Sequence, residues 1–206
     1  MHSCSPKFFK ILIDRKIKFS RRCDGSTIIH GSLDLTHSYL THIPDKLIVM
    51  NSLIMRYCNI DYLPNDLQVF DDIDLKNTRI TSIPERATIG GSLFLENSKI
   101  RFLPDNLVVK GALDLENTPI EKLPRNLRVN DYLNIKGTNI TSLPNDLSIG
   151  KNFLLDTDKI RNNSTLQNVL RRCGLVRCSS MHYQTVRYPS LISVDFTLPN
   201  KYFFYN

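Results

Sequence analysis

The chain repeats itself every 20 residues, and the period runs without insertion from Gly31 to Gly150. Self-similarity at a short fixed period restricts a chain to stacked, solenoid-like architectures, because one short unit cannot bury its own apolar face. The six copies begin at Gly31, Asn51, Asp71, Gly91, Gly111 and Asp131, and a seventh, KNFLLDTDKI, starts at Lys151 and then decays. Six positions in each copy are apolar. Copy five, GALDLENTPIEKLPRNLRVN, shows them as Leu113, Leu115, Ile120, Leu123, Leu127 and Val129. The third and fifth positions are two residues apart, so both point inward from a short strand. The fourteenth is always proline (Pro44, Pro64, Pro84, Pro104, Pro124, Pro144). Proline has no backbone donor for a sheet ladder, so it marks the far side of each coil. The eighth is Ser38, Cys58, Thr78, Ser98, Thr118 and Thr138, small side chains suited to satisfying backbone groups where the chain leaves the strand. At the seventeenth position Ala87 replaces the leucine of the other five copies. An underpacked coil is expected there, or a neighbour such as Phe70 or Phe102 filling the gap.

The run Leu113-x-Leu115-x-x-Thr118-x-Ile120-x-x-Leu123-Pro124 resembles the signature of leucine-rich-repeat proteins. The short period and the Leu-Pro step are similar to the bacterial type found in secreted effectors and to arrays in phage proteins. The likeness covers residues 31–160. Two departures leave the coil's cross-section open between a horseshoe and a straighter β-solenoid. Thr, Ser or Cys stands where the family has Asn, and the pair Leu127 and Val129 is spaced differently from the effector pattern. The resemblance implies a leucine-rich-repeat-like, mostly β solenoid. It also implies a protein that acts by binding, as an effector or phage protein that occupies a host or defence factor in the host cytoplasm.

The ends differ from the middle. Residues 1–30 carry a charge of +5, residues 31–160 carry −3, and residues 161–206 carry +5. Ser5-Pro6 reads as a helix start, and Phe8, Leu12 with Phe9, Ile13 and Ile17 fall at helical spacing. A basic N-terminal cap over 1–30, with a helix over about 6–18, is expected to cover the first coil. Residues 161–206 are read as a basic α+β cap. Its helix starts at Ser164 or Thr165 and ends at Gly174, and strands follow over 181–188 and 190–198.

No apolar run approaches the ~20 residues of a membrane span, and the first residues show no signal-peptide core. Five cysteines at irregular spacing argue for reduced thiols. Both observations point to a cytoplasmic setting and away from a membrane. Cys173, Cys178 and His182 are too loosely spaced for a zinc site, and Cys173 and Cys178 read as structural thiols. His37 and His42 lie near Asp34 and Asp45, but no nucleophile shows a signature beside them. The chain is read as a non-enzyme without cofactor or metal.

Two binding surfaces remain. Positions two, four and six of each copy face outward from the strand, and there Ile54, Phe94, Tyr132 and Leu154, with Arg56 and Tyr57 alongside, interrupt a polar surface. Aromatics and arginine among charges are the make-up of a protein-binding patch. Ile54, Arg56, Tyr57, Phe94 and Tyr132 are therefore the expected contacts to a protein partner, with Asp74, Lys76 and Glu116 setting register. The alternative is an anionic partner, nucleic acid above all, held by Arg21, Arg22, Arg171 and Arg172 on the basic ends.

Overall fold

The structure is a computed structural model that describes residues 6–156, 159–160, 164–172, 176–177 and 183–184. It is a parallel β-solenoid of about six coils, one per 20-residue unit, with a short helix at its N-terminal end. Each coil carries two short strands. Positions three and four form β3 (Leu33–Asp34), β5 (Leu53–Ile54), β7 (Ile73–Asp74), β9 (Leu93–Phe94), β11 (Leu113–Asp114), β13 (Leu133–Asn134) and β15 (Phe153–Leu154). These pair in parallel as one seven-stranded sheet, each residue opposite its equivalent 20 residues on. The third and fifth positions are buried throughout, from Leu33 and Leu35 to Phe153 and Leu155.

A second sheet lines the other side of the coil, which the sequence reading left unassigned. Its strands are β4 (Leu47–Val49), β6 (Gln68–Val69), β8 (Thr88–Ile89), β10 (Val108–Val109), β12 (Arg128–Val129) and β14 (Ser148–Ile149). The seventeenth and nineteenth positions point inward from it. The N-terminal segment joins this sheet: β1 (Phe19–Arg21) and β2 (Thr27–Ile29) form an antiparallel hairpin, and β2 pairs in parallel with β4. The apolar residues of all coils merge into one core.

Between the sheets the chain turns by means that the side chains dictate. The eighth-position hydroxyls of Thr78, Thr118 and Thr138 each donate to the carbonyl three residues back, at 2.7 Å, and Cys58 Sγ reaches Leu35 O at 2.9 Å. The seventh position is left-handed in every coil: His37, Tyr57, Asn77, Asn97, Asn117 and Gly137 all have positive φ. Asn and Gly tolerate that conformation, whereas Tyr57 (φ 57°) occupies it against its steric preference.

The helix α1 (Pro6–Asp14) buries Phe8 and Leu12 against the first coil. It is shorter than the expected 6–18, and Ile13, expected to pack, is 66% exposed. The reason is a C-terminal cap: Ile17 N donates to Leu12 O at 2.8 Å and Lys16 N to Ile13 O at 3.0 Å, with Lys16 left-handed at φ 54°. That is a Schellman ending with lysine where glycine is usual. Arg15 then donates to Asp34 O at 2.6 Å, capping a carbonyl on the open edge of β3. At the far end α2 (Ser164–Arg172) contributes Leu166 and Val169 to the same core. Beyond it β16 (Val176–Arg177) and β17 (Tyr183–Gln184) pair antiparallel. The expected strand over 190–198 and the helix stop at Gly174 lie outside the described residues.

Ala87 leaves its gap open. A cleft of about 120 Å³ lies beside it, lined by Pro84, Ile89, Pro104, Leu107 and Val108 among others. Neither expected neighbour fills it, since Phe70 and Phe102 are 57% and 69% exposed. Ala87→Leu is therefore expected to stabilise the fold by about 1 kcal/mol in urea unfolding, because the new side chain enters existing space. A loss greater than about 2 kcal/mol would mean the coil is already full. Deleting residues 91–110, one whole coil, should leave circular dichroism and a cooperative melt intact. Deleting only 91–100 breaks the register and should abolish both.

Candidate protein-binding face

The seven-stranded sheet presents positions two, four and six outward, and backbone bonds make the face rigid. Along the fifth position Leu35 N, Met55 N, Leu75 N, Leu95 N, Leu115 N and Ile135 N each donate to the next coil at 2.7–2.8 Å. The outward side chains form rows. The fourth-position row reads Asp34, Ile54, Asp74, Phe94, Asp114, Asn134 and Leu154. Four members play a local structural part: the carboxylate or amide oxygen of Asp34, Asp74, Asp114 and Asn134 accepts the backbone N–H two residues on, at 2.9–3.2 Å. Such Asx turns bend the chain out of the strand. Asp74, expected to set register with a partner, is therefore first a device of the fold, and it is only 5% exposed.

The other expected contacts sit as follows. Arg56 reaches across to Asp74, with Nε at 2.7 Å and Nη2 at 2.6 Å, and this forked contact holds its guanidinium above the usual pKa. Its side chain remains half-exposed. Lys76 pairs with Glu96 at 2.9 Å and stands 5.4 Å from the centre of the Phe94 ring. Glu116 accepts from Asn134 Nδ2 at 2.9 Å. Ile54, Phe94, Tyr132 and Leu154 are half-buried in this lattice. Tyr57 is not on the strand face proper. It lies on the turn edge beside it, exposed and stacked on His37 with ring centres 4.9 Å apart. The neighbouring Tyr39, which sequence reasoning passed over, is 94% exposed. No apolar periodicity marks a ninth-position tyrosine, so only the coil geometry brings it to this edge.

The face is acidic. Positions one to six of the coils from Gly31 to Asp156 hold nine carboxylates and four cations, and Arg56, Lys76 and Lys151 are engaged by Asp74, Glu96 and Asp131. Asp114 lies at its centre, and burial pushes its carboxyl above the ordinary value of 3.8 against the opposing help of Glu116 N–H and Asn134. Tyr132 is pushed up to about 12, first by burial and then by Asp114, Asp131, Glu96 and Glu116. Its hydroxyl therefore stays protonated, a donor among carboxylates.

The basic residues expected to serve an anionic partner fall at the two ends of the stack. Arg21 and Arg22 are exposed on and after β1, with the Arg21 guanidinium 5.2 Å from the Phe9 ring centre. Arg171 is exposed on α2, which also contains Arg172, so six coils separate the two groups. Cys173, Cys178 and His182 lie outside the described residues. Among the described residues no group of three or more metal-ligating side chains converges, and no helix is long and apolar enough to cross a membrane. His42 bonds to Thr41, Nδ1 to Oγ1 at 3.2 Å. No protein family, no curated protein and no solved structure was found to match the chain.

Asp114 carries a pH signature. A carboxyl whose folded pKa is raised binds its proton more tightly in the folded state, so its contribution weakens the fold as pH rises from the unfolded value through the folded one. Asp114→Asn keeps the acceptor for Glu116 N–H, as Asn134 does one coil on. The variant should unfold at higher urea than the wild type at pH 7, and the advantage should shrink as pH falls to 4. An equal or lower midpoint at pH 7 would mean that the ionised carboxylate contributes more through its hydrogen bonds than burial costs.

Proposed function

We propose that this chain is a protein-binding module, an inhibitor or adaptor that works by occupying a partner's surface and not by catalysis. The observation that carries this is the strand face. Phe94 and Tyr132, with Ile54 and Arg56, stand half-buried on a sheet that the backbone ladder already orders, so little side-chain or loop entropy is lost on docking. Aromatic and arginine side chains so placed are the usual source of interface energy. The exposed edge of His37, Tyr39 and Tyr57 continues that surface around the turn. The excess of carboxylates over cations selects a partner whose contacting surface is basic, with Glu96, Asp114 and Glu116 giving steering and orientation more than affinity. A cation arriving at Asp114 would offset the burial that raises its carboxyl.

The likeness of residues 113–124 to the leucine-rich-repeat signature supports this reading. It extends it to a bacterial effector or phage protein that blocks a host or defence factor in the host cytoplasm. The test is affinity capture from host lysate with and without nuclease treatment, read by mass spectrometry for protein and by gel staining for nucleic acid, with three variants compared. Phe94→Ala with Tyr132→Ala should lose the captured protein by 10-fold or more while the melt is nearly unchanged, since each lost anchor is worth about 2 kcal/mol. Glu96→Lys with Glu116→Lys should lose it too. Arg21, Arg22, Arg171 and Arg172 changed to Glu should retain it. The reverse pattern, with nucleic acid retained only by the wild-type ends, would assign binding to the basic termini as a nucleic-acid-binding protein.

A further inference from the structure

The second sheet is broken at one place. Its strands form two separate sheets, β1-β2-β4-β6-β8 and β10-β12-β14, with no pairing between β8 and β10. At every other junction the twentieth-position N–H donates to the nineteenth-position carbonyl of the coil before: Met50 to Ile29, Phe70 to Val49, Gly90 to Val69, Asn130 to Val109 and Gly150 to Val129, at 2.8–3.1 Å. The equivalent bond from Lys110 to Ile89 is missing. The break coincides with Ala87 and its cleft of about 120 Å³. Leu107, which should pack on the seventeenth position before it, is 9% exposed, while Leu67 and Leu127 are fully buried.

The turns on the two sides of the break differ. In the second and third coils the turn after proline closes with a bond to its carbonyl, Leu67 N to Pro64 O and Ala87 N to Pro84 O, both at 3.2 Å. In the fourth coil Asn106 is instead left-handed at φ 62°, as Asn126 is in the fifth. The turn also changes type between the first and second coils, where Lys46 is left-handed, and between the fifth and sixth, where Leu147 N bonds Pro144 O at 3.3 Å, yet the sheet is continuous at both. Only at the third junction does the change meet a seventeenth-position side chain of one methyl group.

The opposite face is unbroken. Ile73 N donates to Ser92 O, Leu75 N to Phe94 O and Asn77 N to Glu96 O at 2.8–2.9 Å, and at the corner Gly91 N reaches Asp71 O at 3.0 Å. At positions eleven and twelve the two coils also meet, Arg101 N donating to Thr81 O at 2.8 Å beside a parallel bridge of Ser82 with Phe102. Coils joined at these two places and unjoined along the second sheet form a hinge whose axis passes through both joined places. We infer that the solenoid is two rigid blocks, residues 6–90 and residues 91–156, that flex against each other at the junction of the third and fourth coils. The cleft beside Ala87 opens and closes, and the hinge line crosses the strand face and the Ser82–Phe102 bridge. Two side chains clasp the coils across that line: Lys76, through Glu96 and Phe94, and Asp72, which accepts from Ser92 N at 2.6 Å. The motion changes the angle between the half of the face that holds Ile54 and Arg56 and the half that holds Phe94 and Tyr132. The hinge follows from the backbone and does not rest on the proposed partner.

The test is a pair of distance distributions from the dipolar broadening of continuous-wave electron paramagnetic resonance spectra in the frozen state, which reads the ~10–20 Å separations expected of labels two coils apart. Spin labels are attached to genetically encoded ketone side chains, which leaves the native cysteines in place. Labels at positions 88 and 128 span two coils across the junction; labels at 108 and 148 span two coils within the second block. All four positions are exposed. The 88–128 distribution should be roughly twice as broad as the 108–148 one, as for a hinge between packed blocks. Ala87→Leu should narrow it toward the control, and Lys76→Ala should broaden it further. Equal widths in the wild type would overturn the hinge. So would a broad 88–128 distribution that neither substitution changes, since motion there would then owe nothing to the cleft or the Lys76 clasp.

Discussion

Everything in this molecule hangs on one spacing: an aliphatic side chain must meet its equivalent in the next coil 20 residues later, at the separation of paired strands, about 4.8 Å. The backbone polar groups of a 20-residue loop have too few partners within it. Stacking supplies them, and the same stacking encloses the third, fifth, seventeenth and nineteenth positions in a single core. Side-chain burial and backbone satisfaction are therefore one event here. This is why the ends need covering. Phe8 and Leu12 at one end and Leu166 and Val169 at the other close faces that no further coil meets, and Arg15 serves a carbonyl on the outermost strand.

The strand face inherits its properties from that constraint. The fourth position points away from the core, yet Asp74, Asp114 and Asn134 are nearly buried because their neighbours in the rows crowd them. Three of them hold the turn that follows, together with Asp34, and Asp74 also holds Arg56. What is left over for a partner is a rigid surface with apolar side chains at its centre and an excess of carboxylate around them. Rigid presentation favours recognition because ordering is already done. Under the proposed protein-binding role, a hinge line through such a surface lets its two halves change angle without disordering either.

Much of the fold was legible in the sequence, and the reasons are physical. The period, the inward third and fifth positions, the proline on the far side and the eighth-position hydroxyls all express constraints that recur in each coil. The second sheet was equally encoded, since the seventeenth and nineteenth positions are also two apart, but two-residue strands carry too short an alternation to be told from a turn by periodicity alone. The end of α1 was missed because Lys16, not glycine, takes the left-handed position. Ala87 flagged an underpacked coil, but whether Phe70 or Phe102 would lean in was a matter of rotamers that sequence does not carry, and the break in the second sheet was not foreseen. The face was only half legible: Phe94 and Tyr132 could be placed by counting, whereas the partnership of Arg56 with Asp74 and the elevation of Asp114 needed the row geometry. Tyr39 showed no signal at all until the coil set its direction.

Residue-resolved amide hydrogen exchange by NMR tests the account most directly, because it reads the inter-coil ladder one bond at a time. The amides of Met50, Phe70, Gly90, Asn130 and Gly150 should exchange slowly, 20 residues apart save for the fourth coil, where Lys110 should exchange fast. Protection without the 20-residue recurrence, or a Lys110 amide as slow as its equivalents, would contradict it.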